Sequence, residues 1–209
     1  RHYARKRARP NAIQTLADWL SLNSEDVCKK LGDSKGIIVS ESLVIWDTES
    51  DGVGGTHTLE LTREWGFLNL STRDTLHVFR GDPAAKTKIL EFLHGVSYLV
   101  AFEPKGCDRN RLQELLSPNE FGLILPKLKD FRRDFFDKFS TTNHLDKSRF
   151  YTQDGMQQTI WMNSGIEDEI EGFVRLPAEN GENKCRADIA KLANLVLLLK
   201  EYVFDEDDE

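Results

Sequence analysis

The sequence is poor in cysteine, and its three residues of this type, Cys28, Cys107 and Cys185, are far apart along the chain. A disulfide framework typically uses an even set, and a structural zinc site needs ligands in closely spaced pairs. None of the three has a neighbouring His that would activate it as a nucleophile. The sequence therefore indicates free thiols in a reducing, intracellular compartment, either nuclear or cytoplasmic.

Long apolar stretches are also missing. The run from Leu195 to Leu199 is too short to span a bilayer, and no apolar segment follows the basic N-terminus as it would in a secretory signal. We therefore expect no membrane partner. Because position 1 is Arg rather than Met, we expect a fragment of a longer protein or a processed product.

Positive charge is in deficit, with 28 Lys and Arg against 35 Asp and Glu and a net charge of −7. Bulk attraction to a polyanion is thereby excluded, but the charge is uneven. Residues 1–10 form a predicted basic tail, 11–36 an N-terminal helical segment, and 205–209 an acidic tail. One interpretation is that both tails are solvated segments. The alternative is that Arg5 to Arg9 forms a nuclear-import or nucleic-acid-contacting arm.

Strands and helices alternate through the rest of the chain. A short antiparallel meander is followed by helix, strand, helix, strand, helix and a closing helix, which predicts an α/β domain whose mixed central sheet is flanked by helices. The predicted strands are Gly36–Val39, Ser42–Trp46, His57–Leu61, Gly66–Leu70, Thr75–Phe79, Ser97–Phe102 and Phe121–Leu125. The predicted helices begin at Asp82, Asp108 and Lys127, and the last contains Ile189 to Leu199.

Two acids, Asp47 and Glu49, follow the buried strand that contains Trp46. Alternate residues of a strand face the same side, so both carboxylates are expected to point one way. Neighbouring carboxylates repel unless a cation offsets their charge, and hard divalent cations prefer such oxygen ligands. The alternative interpretation is an acidic turn after a strand.

A second block consists of the strand Ser97–Phe102, a short turn, and a helix that begins at Asp108 and carries Leu112 four residues later. This block resembles the second motif of the DEDD 3′–5′ exonucleases, the ribonuclease H-like superfamily of polymerase proofreading domains and ribonuclease D. The pair Asp47 and Glu49 is similar to the first motif, and Asp188, on a late helix, to the third.

The resemblance implies a ribonuclease H-like exonuclease fold over 37–204. It further implies that two Mg²⁺ or Mn²⁺ ions catalyse phosphodiester hydrolysis from the 3′ end of RNA or single-stranded DNA. The catalytic and metal-binding acids would then be Asp47, Glu49, Asp108 and Asp188. For Asp188 the alternative is a helix N-cap or first-turn acid, which the helix dipole favours.

The resemblance also implies a His or Tyr base shortly before the last Asp, where this chain has Asn183 and Lys184. An amide is not basic and a lysine ammonium is protonated, so neither accepts a proton from water. His144 or Tyr151 is a candidate substitute. Two alternatives follow: a catalytically inactive exonuclease-fold module that binds RNA or docks a protein partner, and an interaction domain whose acids are separate surface charges.

Overall fold

The structure is a computed structural model that describes residues 42–51, 62–102, 108–131, 174 and 184–203. The described residues divide into two compact units, one made of 42–131 and 184–192 and the other of Val174 and 193–203. Both predicted tails, the segment 11–36 and the predicted strands Gly36–Val39 and His57–Leu61 lie outside the described residues. Within the described ranges no helix combines the length and the apolar character needed to cross a membrane.

The first unit contains a five-stranded mixed sheet, which confirms the expected α/β class with a mixed sheet flanked by helices. Its strands are β1 (Leu43–Ser50), β2 (Thr62–Asn69), β3 (Thr75–Phe79), β4 (Tyr98–Ala101) and β5 (Leu128–Asp130). They are ordered β3-β2-β1-β4-β5. The meander β1-β2-β3 is antiparallel, whereas β4 is parallel to β1 and β5 is parallel to β4.

Four α-helices accompany these strands in the part of the chain that the structure describes. They are α1 (Ala85–Phe92), α2 (Asp108–Leu115), α3 (Pro118–Ile124) and α4 (Lys184–Val203), and a 3-10 turn (Leu125–Lys127) joins α3 to β5. In the second unit, the amide of Asn194 pairs with the backbone of Val174, donating to its oxygen at 2.9 Å and accepting from its N–H at 2.7 Å.

One face of the sheet forms the apolar core with α1, α2 and α3. Trp46 of β1 and Phe67 of β2 are cross-strand partners, and their rings stack with centroids 6.2 Å apart. Ile89 of α1 and Leu112 of α2 are buried in the same cluster. Each large apolar side chain buried in this way stabilises the fold by about 1.5–3 kcal/mol. Because side chains alternate along a strand, the residues directly before and after Trp46 in β1 face the other side of the sheet.

The C-terminal part of this sheet region differs from the prediction. Phe121–Leu125 was expected as a strand, but Pro118–Ile124 is helical. Ser117 and Glu120 form a capping box, with Pro118 in the first turn. Lys127 was expected to begin a helix, but Leu128–Asp130 is strand β5. A short apolar run fits the periodicity of a strand and of a helix equally well. In this segment the capping box stabilises the helix.

Two boundaries matter for the acids. Strand β1 continues to Ser50 instead of ending at Trp46, so Asp47 and Glu49 lie within the hydrogen-bonded ladder. Helix α4 begins at Lys184, which places Asp188 just beyond its first turn. The N-cap or first-turn role considered for Asp188 therefore does not apply.

Helix α4 approaches the second face of the sheet closely at Gly66. A Cβ atom on Gly66 would lie 2.5 Å from Cδ1 of Ile189 and 2.7 Å from Sγ of Cys185. Such distances are closer than side chains tolerate, so a methyl group at position 66 would force the buried side chains of Ile189 and Cys185 to move. The same approach brings the first turns of α4 over the polar side of β1.

We predict that Gly66→Ala lowers the free energy of unfolding by about 1–3 kcal/mol, because the added methyl group displaces the buried side chains of Ile189 and Cys185, by which α4 packs against β2. The matched control is Gly122→Ala in α3, an exposed position with no heavy atom within 4 Å of the new methyl group. There we expect a gain of about 0.5–1 kcal/mol from helix propensity. Urea unfolding measures both, and an unchanged midpoint for Gly66→Ala would contradict the close contact.

Candidate metal centre

Three acids meet where α4 crosses the polar side of β1. Asp47 and Glu49 occupy alternate positions of β1 and so share a face, and Asp188 reaches the same place from α4. One carboxylate oxygen from each lies within 4.8 Å of the other two. We call these three residues the acidic triad. Its oxygen ligands could hold one metal ion.

The charge state of Asp47 shows how unfavourable this arrangement is without a cation. Burial raises the pKa of Asp47 well above its usual range, and the charges of Asp108, Asp188 and Glu49 raise it further. Its Oδ2 atom is buried and has no hydrogen-bond partner among the described residues. A buried, unsatisfied carboxylate oxygen is costly, and a hard cation is the ligand that would satisfy it. The residues present therefore fit a divalent ion.

Asp108, the fourth predicted acid, lies close to the triad but is not one of its members. It begins α2, is 8% exposed, and accepts a hydrogen bond from the Thr48 hydroxyl. Burial raises the pKa of Asp108 to about 6, although the Thr48 hydrogen bond and the charge of Arg111 act in the opposite direction. The structure thus brings three of the four predicted acids together and places the fourth beside them, held by a protein donor.

Arg111 is a site residue that the sequence interpretation missed. Its Nη1 atom donates to Thr48 Oγ1 at 2.6 Å and to Thr48 O at 3.2 Å, and Nη2 donates to Ser50 Oγ at 2.9 Å. These bonds fix the end of β1 against α2, and Nη1 lies 3.7 Å from Oδ1 of Asp108. The spacing of Asp108 and Arg111, three residues apart on a helix, was the available signal.

Two lysines of α4 contact the triad. Lys184 Nζ lies 2.9 Å from Glu49 Oε1 and 3.9 Å from Asp188 Oδ2, and Lys191 Nζ lies 3.1 Å from Asp188 Oδ1. The hydrogen bond to Glu49 is the main cause that raises the pKa of Lys184. The ammonium therefore stays charged, which agrees with the sequence argument that this residue is no proton acceptor.

A buried polar pair adjoins the triad. Glu64 of β2 is the cross-strand partner of Glu49, is 1% exposed, and lies 3.0 Å from Nδ1 of His77 on β3. The sequence interpretation missed this pair too, although period-two alternation along β2 puts Glu64 on the face opposite Trp65. Its position extends the polar face of the sheet from β1 to β3.

Cys185 is unsuited to act as a nucleophile. Burial raises the pKa of its thiol, and the negative charges of Asp47, Glu64 and Glu49 raise it further. Its Sγ atom donates to the backbone oxygen of Asp47 at 3.4 Å. The candidate bases His144 and Tyr151 lie outside the described residues.

The raised pKa of Asp108 predicts a pH-dependent stability. Its folded value is about 6 against 3.8 for an ordinary Asp, so the unfolded chain ionises first as pH rises. Stability that is present below about pH 4 is therefore lost between pH 4 and pH 6. We expect Asp108→Asn to flatten this part of the profile, because its amide oxygen still accepts from Thr48 but does not ionise.

The measurement is urea unfolding between pH 4 and pH 7 in EDTA, so that no divalent ion contributes. Asp74→Asn, at an exposed loop carboxylate, is the control and should keep the wild-type profile. Parallel curves for Asp108→Asn and wild type would show that Asp108 does not titrate as stated.

No protein-family model matches this chain, and no curated protein or solved structure matches it either. The interpretation of the site therefore depends on its own geometry and on the short motifs that carry the resemblance to the DEDD exonucleases.

Proposed function

We propose that this domain is a 3′–5′ exonuclease of the ribonuclease H-like type, which hydrolyses RNA or single-stranded DNA with Mg²⁺ or Mn²⁺ in the acidic triad. The observation that carries the proposal is the convergence of Asp47 and Glu49 with Asp188 from a distant part of the chain. An acidic turn or separate surface charges would not bring these oxygens within 4.8 Å of one another. The mixed five-stranded sheet flanked by helices is compatible with the α/β class of such a domain.

The donor set favours Mg²⁺ or Mn²⁺ over a softer metal. All three triad ligands are carboxylates, and hard cations select oxygen. The nearby sulfur of Cys185 is held as a thiol that donates to a backbone oxygen. A divalent ion in the triad would supply positive charge to the phosphate oxygens and favour ionisation of the attacking water.

The chain's own residues do the positioning. Pairing of β1 with β2 sets Asp47 opposite Gly66 and Glu49 opposite Glu64, and Gly66 admits α4 so that Asp188 reaches the same place. Arg111 ties β1 to the helix that carries Asp108. Among the described residues, no His or Tyr side chain contacts the triad. A site that lacks a positioned general base hydrolyses its substrate about 10²–10⁴-fold more slowly than a site that has one.

The first test is nuclease activity on a short 5′-labelled oligonucleotide. We expect a ladder of products shortened from the 3′ end in Mn²⁺ or Mg²⁺, stopped by EDTA. Asp47→Asn should reduce the rate to background, because it removes the buried triad ligand. Glu91→Gln, at an exposed carboxylate of α1, should retain the wild-type rate.

Asp47→Asn should be at least as stable as wild type in EDTA, since it relieves repulsion between carboxylates. Loss of activity therefore cannot be attributed to unfolding once this is checked. Equal traces for wild type and Asp47→Asn at high protein concentration would refute the proposal.

A second candidate function is a catalytically inactive module of the same fold that binds RNA or docks a protein partner. The ammonium of Lys184 favours it, since it lies 2.9 Å from Glu49 and already offsets part of the triad's charge without metal. In this case the acids are a structural ion-pair network.

Thermal unfolding with Mn²⁺ separates the two candidates. A metal-binding triad predicts a rise in Tm, because an ion that binds only the folded state at about one hundred times its Kd adds about 2.7 kcal/mol. Asp47→Asn should lose this rise. An unchanged Tm for wild type over the whole Mn²⁺ range, together with retained oligonucleotide binding, would favour the inactive module.

A further inference from the structure

The ammonium of Lys184 contacts the acidic triad. Its ammonium lies 2.9 Å from Glu49 Oε1 and 3.9 Å from Asp188 Oδ2, so it contacts two of the three triad members. The charge of the third, Asp47, also acts on it. One side chain of the protein therefore interacts with the complete candidate ligand set.

The described contacts of this lysine are with the acids. Lys184 is the first residue of α4, and a cation at a helix N-terminus is disfavoured by the helix dipole. Its side chain is 65% exposed, so little apolar burial holds it there. Among the described residues, the hydrogen bond with Glu49 is thus the main attraction on its ammonium, and the exposed side chain can leave it without disturbing the core.

Lys184 changes the charge beside the triad. Its ammonium places one positive charge next to Glu49 and Asp188. Removing that charge makes the surroundings of the triad more negative by one, and the attraction for a divalent cation is correspondingly stronger.

We infer that Lys184 is a built-in competitor of the divalent ion: its ammonium occupies Glu49 and Asp188 in the metal-free protein, and metal binds only by displacing it. This inference rests on the proposed function, because it concerns the same triad. It adds that the site fills at a higher metal concentration than its carboxylates alone would require. It also assigns a role to Lys184 itself, which lies where the resemblance implies a His or Tyr base.

The test is Mn²⁺ binding to the whole chain, measured by isothermal titration calorimetry. Lys184→Met removes the charge while keeping an unbranched side chain, and we expect Mn²⁺ to bind at least about tenfold more tightly than to wild type. Lys184→Arg keeps the charge and should bind Mn²⁺ as wild type does. Lys88→Met is the matched control, because Lys88 is an exposed lysine paired with Asp82 outside the triad. Its Mn²⁺ affinity should not change.

The outcomes separate this inference from the proposed function. Equal Mn²⁺ affinities for wild type and Lys184→Met overturn the competition while leaving the metal site intact. Tighter binding by both Lys184→Met and Lys184→Arg also overturns it, because charge would then not be the cause. Absence of Mn²⁺ binding by wild type and Lys184→Met, with both shown to be folded by circular dichroism, overturns the proposed function itself.

Discussion

Electrostatic repulsion among Asp47, Glu49 and Asp188 is the constraint on which the arrangement of this domain depends. Their oxygens lie within 4.8 Å of one another, and burial around Asp47 strengthens the repulsion. Such a cluster persists where the backbone holds its members in place and where cations, or a proton retained by one carboxyl group, offset the charge. The rigid ladder of β1 supplies the first condition, and Lys184, Lys191 and Arg111 supply part of the second.

The two faces of β1 have different roles: one contributes to the apolar core and the other carries the acids of the candidate site. Trp46 and its neighbours bury one face against α1, α2 and α3, while Asp47 and Glu49 project from the other toward α4. A shift of one residue in strand register would exchange the two sets, so the core packing also fixes the positions of the acids. Gly66 completes the arrangement by letting α4 approach the second face. The positions of the acids therefore depend on how the apolar core packs against the opposite face of the sheet.

Local patterns predicted part of this arrangement. Alternation along β1 predicted the shared face of Asp47 and Glu49, and helical spacing predicted the element that carries Asp188. The contacts of Lys184 with Glu49 and of Arg111 with Thr48 join residues distant in sequence, where no periodicity reports on proximity. The run Phe121–Leu125 was assigned wrongly because apolar residues over one turn fit a strand and a helix equally. Sequence patterns thus predicted the elements that carry the acids better than the lysine and arginine side chains that accompany them.

The choice between a metal site and a purely structural network depends on which oxygens Lys184 reaches. Its ammonium contacts Glu49 and Asp188 from the exposed side, with 65% of the side chain accessible. Oδ2 of Asp47 remains buried without a hydrogen-bond partner among the described residues. Oε2 of Glu64 is likewise buried without a partner among these residues, so the orphan oxygen of Asp47 counts for a cation because it lies where Glu49 and Asp188 converge on it. The unsatisfied atom and the displaceable lysine together favour a site that is completed by a divalent ion.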